Sequence, residues 1–227
     1  MAIYDDMGKS LTDEFELFLM ALSGRYAQLR APGVEVTPVA VNTLRRDMDG
    51  LANVFLNSLY GHMKTYSEDL YPAASEELSA ELVYMRRTAM ATVRGFVQQA
   101  IKQVDHMTLN GTANVASVLR DGGHGAMGFL IQKSLSAISF KLVDSSQRRW
   151  NAAVLFKVVV RDWAYQSWIK AELESLRDSD VDLVDTGKDV IISLKGSPKH
   201  PTFEYARDVL NLFHVNATAT LKPYVQA

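Results

Sequence analysis

The sequence predicts a mainly α fold: a helical N-terminal part with long amphipathic helices, then a small α+β C-terminal part containing a β-hairpin. Two observations predict it. Apolar residues recur at three- and four-residue steps through most of the first 176 positions, the spacing of one helix face. After Asp178-Ser179-Asp180 the apolar period falls from 3.6 to 2, the alternation of strands.

The first helix is expected to start at Ser10 or Thr12, with Asp13 and Glu14 in its first turn, where the helix dipole favours acids. Leu11, Phe15, Phe18, Leu22, Tyr26 and Leu29 form its apolar stripe, and Ala31-Pro32-Gly33 ends it. Thr37-Pro38 is a cap followed by a proline at the first helical position. From there Val41, Leu44, Met48, Leu51, Phe55 and Leu59 keep a heptad-like seam that calls for a partner helix. Ser75 caps a third helix, striped by Leu78, Leu82, Met85, Ala89, Val93, Phe96, Ala100 and Val104 and ended at Asn110-Gly111. A short helix over 113–119 leads to Asp121-Gly122-Gly123-His124-Gly125.

That glycine cluster predicts a hinge, dividing the chain into a helical region 1–121, a hinge 122–125 and an α+β region 126–227, the alternative being one continuous domain. Phe129 to Leu142 reads as helix. Ser145 or Ser146 is expected to cap another long helix, with Trp150, Val154, Val158, Arg161, Tyr165 and Trp168 along one side. Val181–Val184 and Asp189–Leu194, split by Asp185-Thr186-Gly187-Lys188, predict the hairpin. Thr202 to Leu212 is a last helix, and the tail from His214 to Leu221 has the composition to pair with the hairpin.

Composition narrows function by exclusion. The 227 residues include no cysteine, which removes disulfides, thiolate zinc sites, iron–sulfur clusters and thiol nucleophiles together. A net charge of −2, from 24 basic and 26 acidic residues, lacks the basic excess of a protein that lives on phosphate backbones. No run approaches the ~20 apolar residues that span a bilayer. The start, Met1-Ala2-Ile3-Tyr4-Asp5-Asp6, is acidic where a secretory signal is basic.

No motif with its own chemistry emerges. Gly122-Gly123-His124-Gly125 lacks the preceding strand and following Gly-Lys-Ser/Thr of a phosphate loop. The five histidines, at 62, 106, 124, 200 and 214, include no pair at metal-ligand spacing on one helix. No Gly-x-Ser-x-Gly marks a serine nucleophile. The expectation is therefore a non-enzyme with no catalytic, cofactor or metal site.

The segment Asp144-Ser-Ser-Gln147-Arg148-Arg149-Trp150, with its helix through Phe156, Val160, Arg161 and Asp162, resembles a signature of tailed-phage minor head (head-morphogenesis) proteins. Val181-Asp182-Leu183-Val184 is similar to that family's short strand after the helix. Leu212-Phe213-His214-Val215-Asn216-Ala217-Thr218-Ala219, with Leu221-Lys222-Pro223-Tyr224, resembles its closing His-Pro-Asn-Cys-Arg-His and proline-bearing tail. Gln147 stands where glycine is usual, Asp162 where threonine is usual, and Ala217 and Ala219 replace the closing Cys and His.

The resemblance implies a virion protein, a minor head or head–tail connector component, present in host cytoplasm during assembly. Its partners would be portal or capsid proteins, in an oligomeric assembly with no membrane and no sequence-specific nucleic acid. The candidate structural or interface positions are Asp144, Arg148, Arg149, Trp150, Arg161, Asp182 and His214 of the resembling segments, with Trp168 from the expected helix face of Trp150 and Arg161. Arg161 is expected to pair with Asp182 or Asp144 inside the fold. The alternatives are a helical adaptor of a non-viral assembly and an enzyme with a motif-less Arg/His/Asp pocket.

Overall fold

A computed structural model describes residues 3–30, 34–70, 72, 74–120, 139–214 and 217–224, with backbone alone over 109–120. The expected glycine hinge, and the first part of the helix expected from Phe129, lie outside the described residues. Among the described residues the chain is mainly helical, with long helices first and two small antiparallel sheets after them.

Helix α1 spans Ile3–Leu29, α2 Pro38–Leu70 and α3 Glu76–Arg120. Strands β1 (Lys141–Val143) and β2 (Arg149–Asn151) form a two-stranded ribbon. Helix α4 follows at Ala152–Asp178, then β3 (Leu183–Asp185), β4 (Ile191–Ser193), the short helix α5 (Phe203–Asp208) and β5 (Lys222–Pro223). The second sheet has the order β4-β3-β5 with both pairs antiparallel.

The caps at Thr37 and Ser75 are where the sequence places them, and Thr202, expected inside the last helix, is its cap. The Ala40 amide donates to Thr37 Oγ1, Leu78 to Ser75 Oγ and Tyr205 to Thr202 Oγ1. Each satisfies an amide that the first helical turn leaves without a partner.

Several boundaries differ from expectation. Helix α1 begins seven residues or more before Ser10, with Asp5 and Asp6 in its first turn. Asn110-Gly111 does not end α3, which runs unbroken through the stretch read as a separate short helix. One Asn and one Gly disfavour a helix by about 1–2 kcal/mol together, a cost that continuous flanking turns override. Lys141 and Leu142, expected in a helix, form β1 instead. The expected cap at Ser145 or Ser146 is a turn between β1 and β2, and Trp150 lies on a strand rather than beside Trp168 on one helix face. Asn151 is the true cap, its Oδ1 accepting from the amides of Ala153 and Val154. The last helix stops at Asp208, short of Leu212.

The chain divides into two compact units, and each of the four long helices contributes a segment to both. One unit comprises residues 11–60 and 91–156. Its core is the predicted stripe of α1, from Leu11 to Leu29, with Leu44, Met48, Phe55 and Leu59 of α2 and Val93, Val97, Ala100 and Val104 of α3, all buried. Phe15 stacks on Phe156 at 4.2 Å and 9° between planes, and Phe18 on Phe55 at 4.9 Å. Leu142 of β1 is fully buried and pairs across the ribbon with Trp150.

The other unit comprises residues 1–10, 61–90 and 157–227. Tyr165 sits at its centre with no exposed surface, its hydroxyl donating to the Ala219 carbonyl. Tyr66 donates likewise to the carbonyl of Ala164, and burial raises both phenols well above the ordinary tyrosine range. The predicted hairpin forms with Leu183 opposite Ser193. Its turn has Gly187 at φ 65°, where a Cβ would also come within 2.9 Å of Thr220 Oγ1. The expected pairing of the tail falls one residue beyond Leu221, at Lys222 and Pro223 on β3.

Candidate functional site

The residues of the signature-like segment converge on one carboxylate. Asp144 follows β1, and its Oδ1 accepts from the backbone amides of Ser146 and Arg148 at 2.9 Å. Its Oδ2 accepts from Arg148 Nε at 2.8 Å and from the indole Nε1 of Trp150 at 2.9 Å. Four donors on two oxygens hold the carboxyl down at about 2, the Arg148 amide having the largest effect and the Trp150 indole the next. The Arg148 guanidinium also lies 5.4 Å from the Trp150 ring centroid. An acid, an arginine and a tryptophan at spacings of four and two thus form one closed turn.

Gln147, in the same turn, has φ 61°, the left-handed region that costs about 1–2 kcal/mol for a residue with a Cβ. Glycine would adopt this conformation without that cost.

The ribbon is completed from α3. Lys141 N donates to Gln103 Oε1 at 3.0 Å, and Gln103 Nε2 donates back to Lys141 O at 2.6 Å. Val143 N donates to Gln99 Oε1 at 2.9 Å, and Gln99 Nε2 donates back to Val143 O at 3.4 Å. The match is geometric: two residues along a strand advance about 6.6 Å and four along a helix about 6.0 Å. Two side-chain amides therefore act as a surrogate strand on the outer edge of β1. Sequence reasoning missed Gln99 and Gln103, because nothing local distinguishes them from solvated helix positions.

Beside this ribbon, and in the same unit, lies a groove of about 490 Å³. It is lined by Glu16, Leu19, Met20 and Ser23 of α1, Ser139 and Phe140 before β1, and Asn151, Ala152 and Ala153. Met20 is 68% exposed there.

The remaining singled-out residues lie in the other unit. Arg161 Nε donates to Asp5 Oδ1 at 2.7 Å, and its guanidinium stands 5.5 Å from the Tyr4 ring centroid. Its expected partners are engaged elsewhere, which corrects the pairing read from the sequence. Asp144 is saturated by its own turn, and Asp182 Oδ1 accepts from Ser193 Oγ at 2.7 Å and from the Lys195 amide. The Ser193 hydroxyl, then the Lys195 amide, lower the Asp182 carboxyl. Trp168 packs with Tyr4 and Tyr165, at 5.3 and 6.1 Å between centroids.

His214 is exposed beyond Phe213, whose carbonyl accepts from Gln166 Nε2. Ala217 and Ala219, at the closing Cys and His positions of the resembled family, are buried methyl groups that offer no ligating atom. Among the described residues no group of three His, Asp or Glu is placed to hold a metal ion. No helix among them is long and apolar enough to cross a membrane.

Comparison with protein-family models, with curated proteins and with solved structures found no match.

Proposed function

We propose that the chain is a structural virion protein of a tailed phage, a minor head or head–tail connector component held by contacts with portal or capsid proteins. One observation carries the reading beyond sequence likeness. The positions that resemble the family signature, Asp144, Arg148 and Trp150, are joined in a single hydrogen-bonded turn. The strained Gln147 falls where that signature has glycine. A spacing that builds a hydrogen-bonded turn is a structural element, and its chemistry is that of a scaffold. The acid is locked by its donors and depressed far from neutrality, so it is a poor proton carrier near pH 7.

Co-expression tests this. With a portal protein from the same genome, the chain should co-purify as a complex of fixed stoichiometry that survives gel filtration. An adaptor of a non-viral assembly would instead have neighbouring genes without a portal or large terminase. Failure of the chain to bind portal, major capsid or completed heads would refute the proposal.

A further inference from the structure

Among the described residues the ribbon is closed on one edge and open on the other. The Phe140 carbonyl accepts from the Ala152 amide, and the Arg148 carbonyl from Asp144. Those two bonds fix the alternation of the ladder, so Lys141 and Val143 turn their amides and carbonyls away from β2. Gln103 and Gln99 receive them there. By the same alternation Arg149 and Asn151 turn their amides away from β1, and there no described group receives them.

Register also places Lys141, Arg149 and Asn151 on one face of the ribbon, opposite Leu142 and Trp150. Lys141 and Arg149 are exposed, and neither side chain has an acid against it among the described residues. Arg148 adds a side chain 68% exposed. Asn151, the last residue of the open edge, is also part of the wall of the apolar groove with Met20 and Phe140.

We infer that the free edge of β2 is a docking site for an extended segment of a partner protein. That segment adds a third strand to the ribbon, sets an acidic side chain against Arg149 and Lys141, and lays an apolar side chain in the groove beside Met20 and Phe140. Main-chain bonds supply the pairing, and the groove and the charges select the partner. Positive charge at the edge disfavours a second copy of the same strand, since like charges would face each other across the new pair. An acid-bearing partner removes that repulsion. The surface belongs to the isolated chain, so its test stands apart from that of particle membership.

The test is selection of a random-sequence peptide library on the purified full chain, followed by amide exchange. Enriched peptides should share an acid and a large apolar residue, and their binding should slow exchange at the Arg149 and Asn151 amides. Arg149→Glu and Met20→Glu, both at exposed positions, should each weaken the selected peptides by roughly tenfold or more. N-methylation of the peptide residue opposite Arg149 should do the same. Thermal melts of the two variants should match the unsubstituted chain. The inference is overturned if no peptide is enriched over bare resin, or if the enriched peptides bind both variants as tightly as the original protein. Protection appearing elsewhere while Arg149 and Asn151 exchange unchanged overturns it equally.

Discussion

Removing the surrogate strand should loosen the ribbon measurably. In Gln99→Ala/Gln103→Ala four hydrogen bonds to Lys141 and Val143 are lost together. Bonds near the surface exchange with water, so each contributes about 0.5–1 kcal/mol net. The double variant should therefore lose about 2–4 kcal/mol, and for a chain of this length 3 kcal/mol lowers Tm by about 6–12 °C. Urea unfolding followed by tryptophan fluorescence gives the total. Amide exchange gives the place: Lys141 and Val143 should lose protection, while amides in the middle of α3 keep theirs. Gln103→Glu is the control. It keeps an acceptor for the Lys141 amide but sets a carboxylate oxygen against the Lys141 carbonyl, and should fall between wild type and Gln103→Ala. Stability within about 0.5 kcal/mol of wild type, with Lys141 and Val143 still protected, would refute the account of the ribbon.

Substitutions at three further positions test other parts of it. The Asp144 carboxyl is depressed in the fold from an ordinary 3.8 to about 2, so its stabilising effect is complete above pH ~4 and is lost as pH falls towards 2. Asp144→Asn should lower Tm at pH 7 and converge with wild type near pH 2; an equal deficit at both values would show that charge is not the cause. Gln147→Gly should leave stability unchanged or raise it by up to about 1 kcal/mol, the relief of left-handed strain offsetting glycine's extra unfolded freedom, whereas Gln147→Val should destabilise. Equal chemical denaturation midpoints for the glycine and valine variants would contradict the assigned backbone strain. Arg161→Ala should cost about 1–2 kcal/mol, because the pair with Asp5 is part-exposed and the Tyr4 contact adds a modest cation–π term. Arg161→Lys should restore less than half of it, a result that calorimetry can check.

What the sequence made legible is what local chemistry decides. Apolar stripes located the helices and their buried faces, Thr37-Pro38 and Ser75 their starts, and Asp185-Thr186-Gly187 the hairpin turn. Lys141 and Leu142, read as the end of a helix, are a strand because their edge is met by Gln99 and Gln103, about forty residues away, which no local window contains. Two local signals were nonetheless present. Asp144 is a turn former that bonds amides ahead of it, and Asn151 is a strong N-cap just before an apolar helix. The early start of α1 is likewise tertiary: Tyr4 packs edge-on against Tyr165 at 4.9 Å, and Gly8 brings α1 close to the Arg161 backbone. The partner of Arg161 was missed for the same reason, since Asp5 lies 156 positions away. Asp144, singled out from the resemblance, holds its own turn through bonds to Ser146, Arg148 and Trp150.

If the proposed function holds, quantitative mass spectrometry of gradient-purified tailed particles from the organism that carries the gene tests the central claim most directly. A structural virion protein should appear there at a constant ratio to the portal protein across fractions, and remain after a high-salt wash. A chain present in the lysate but missing from intact particles, or present at a ratio that drifts with washing, would contradict the assignment.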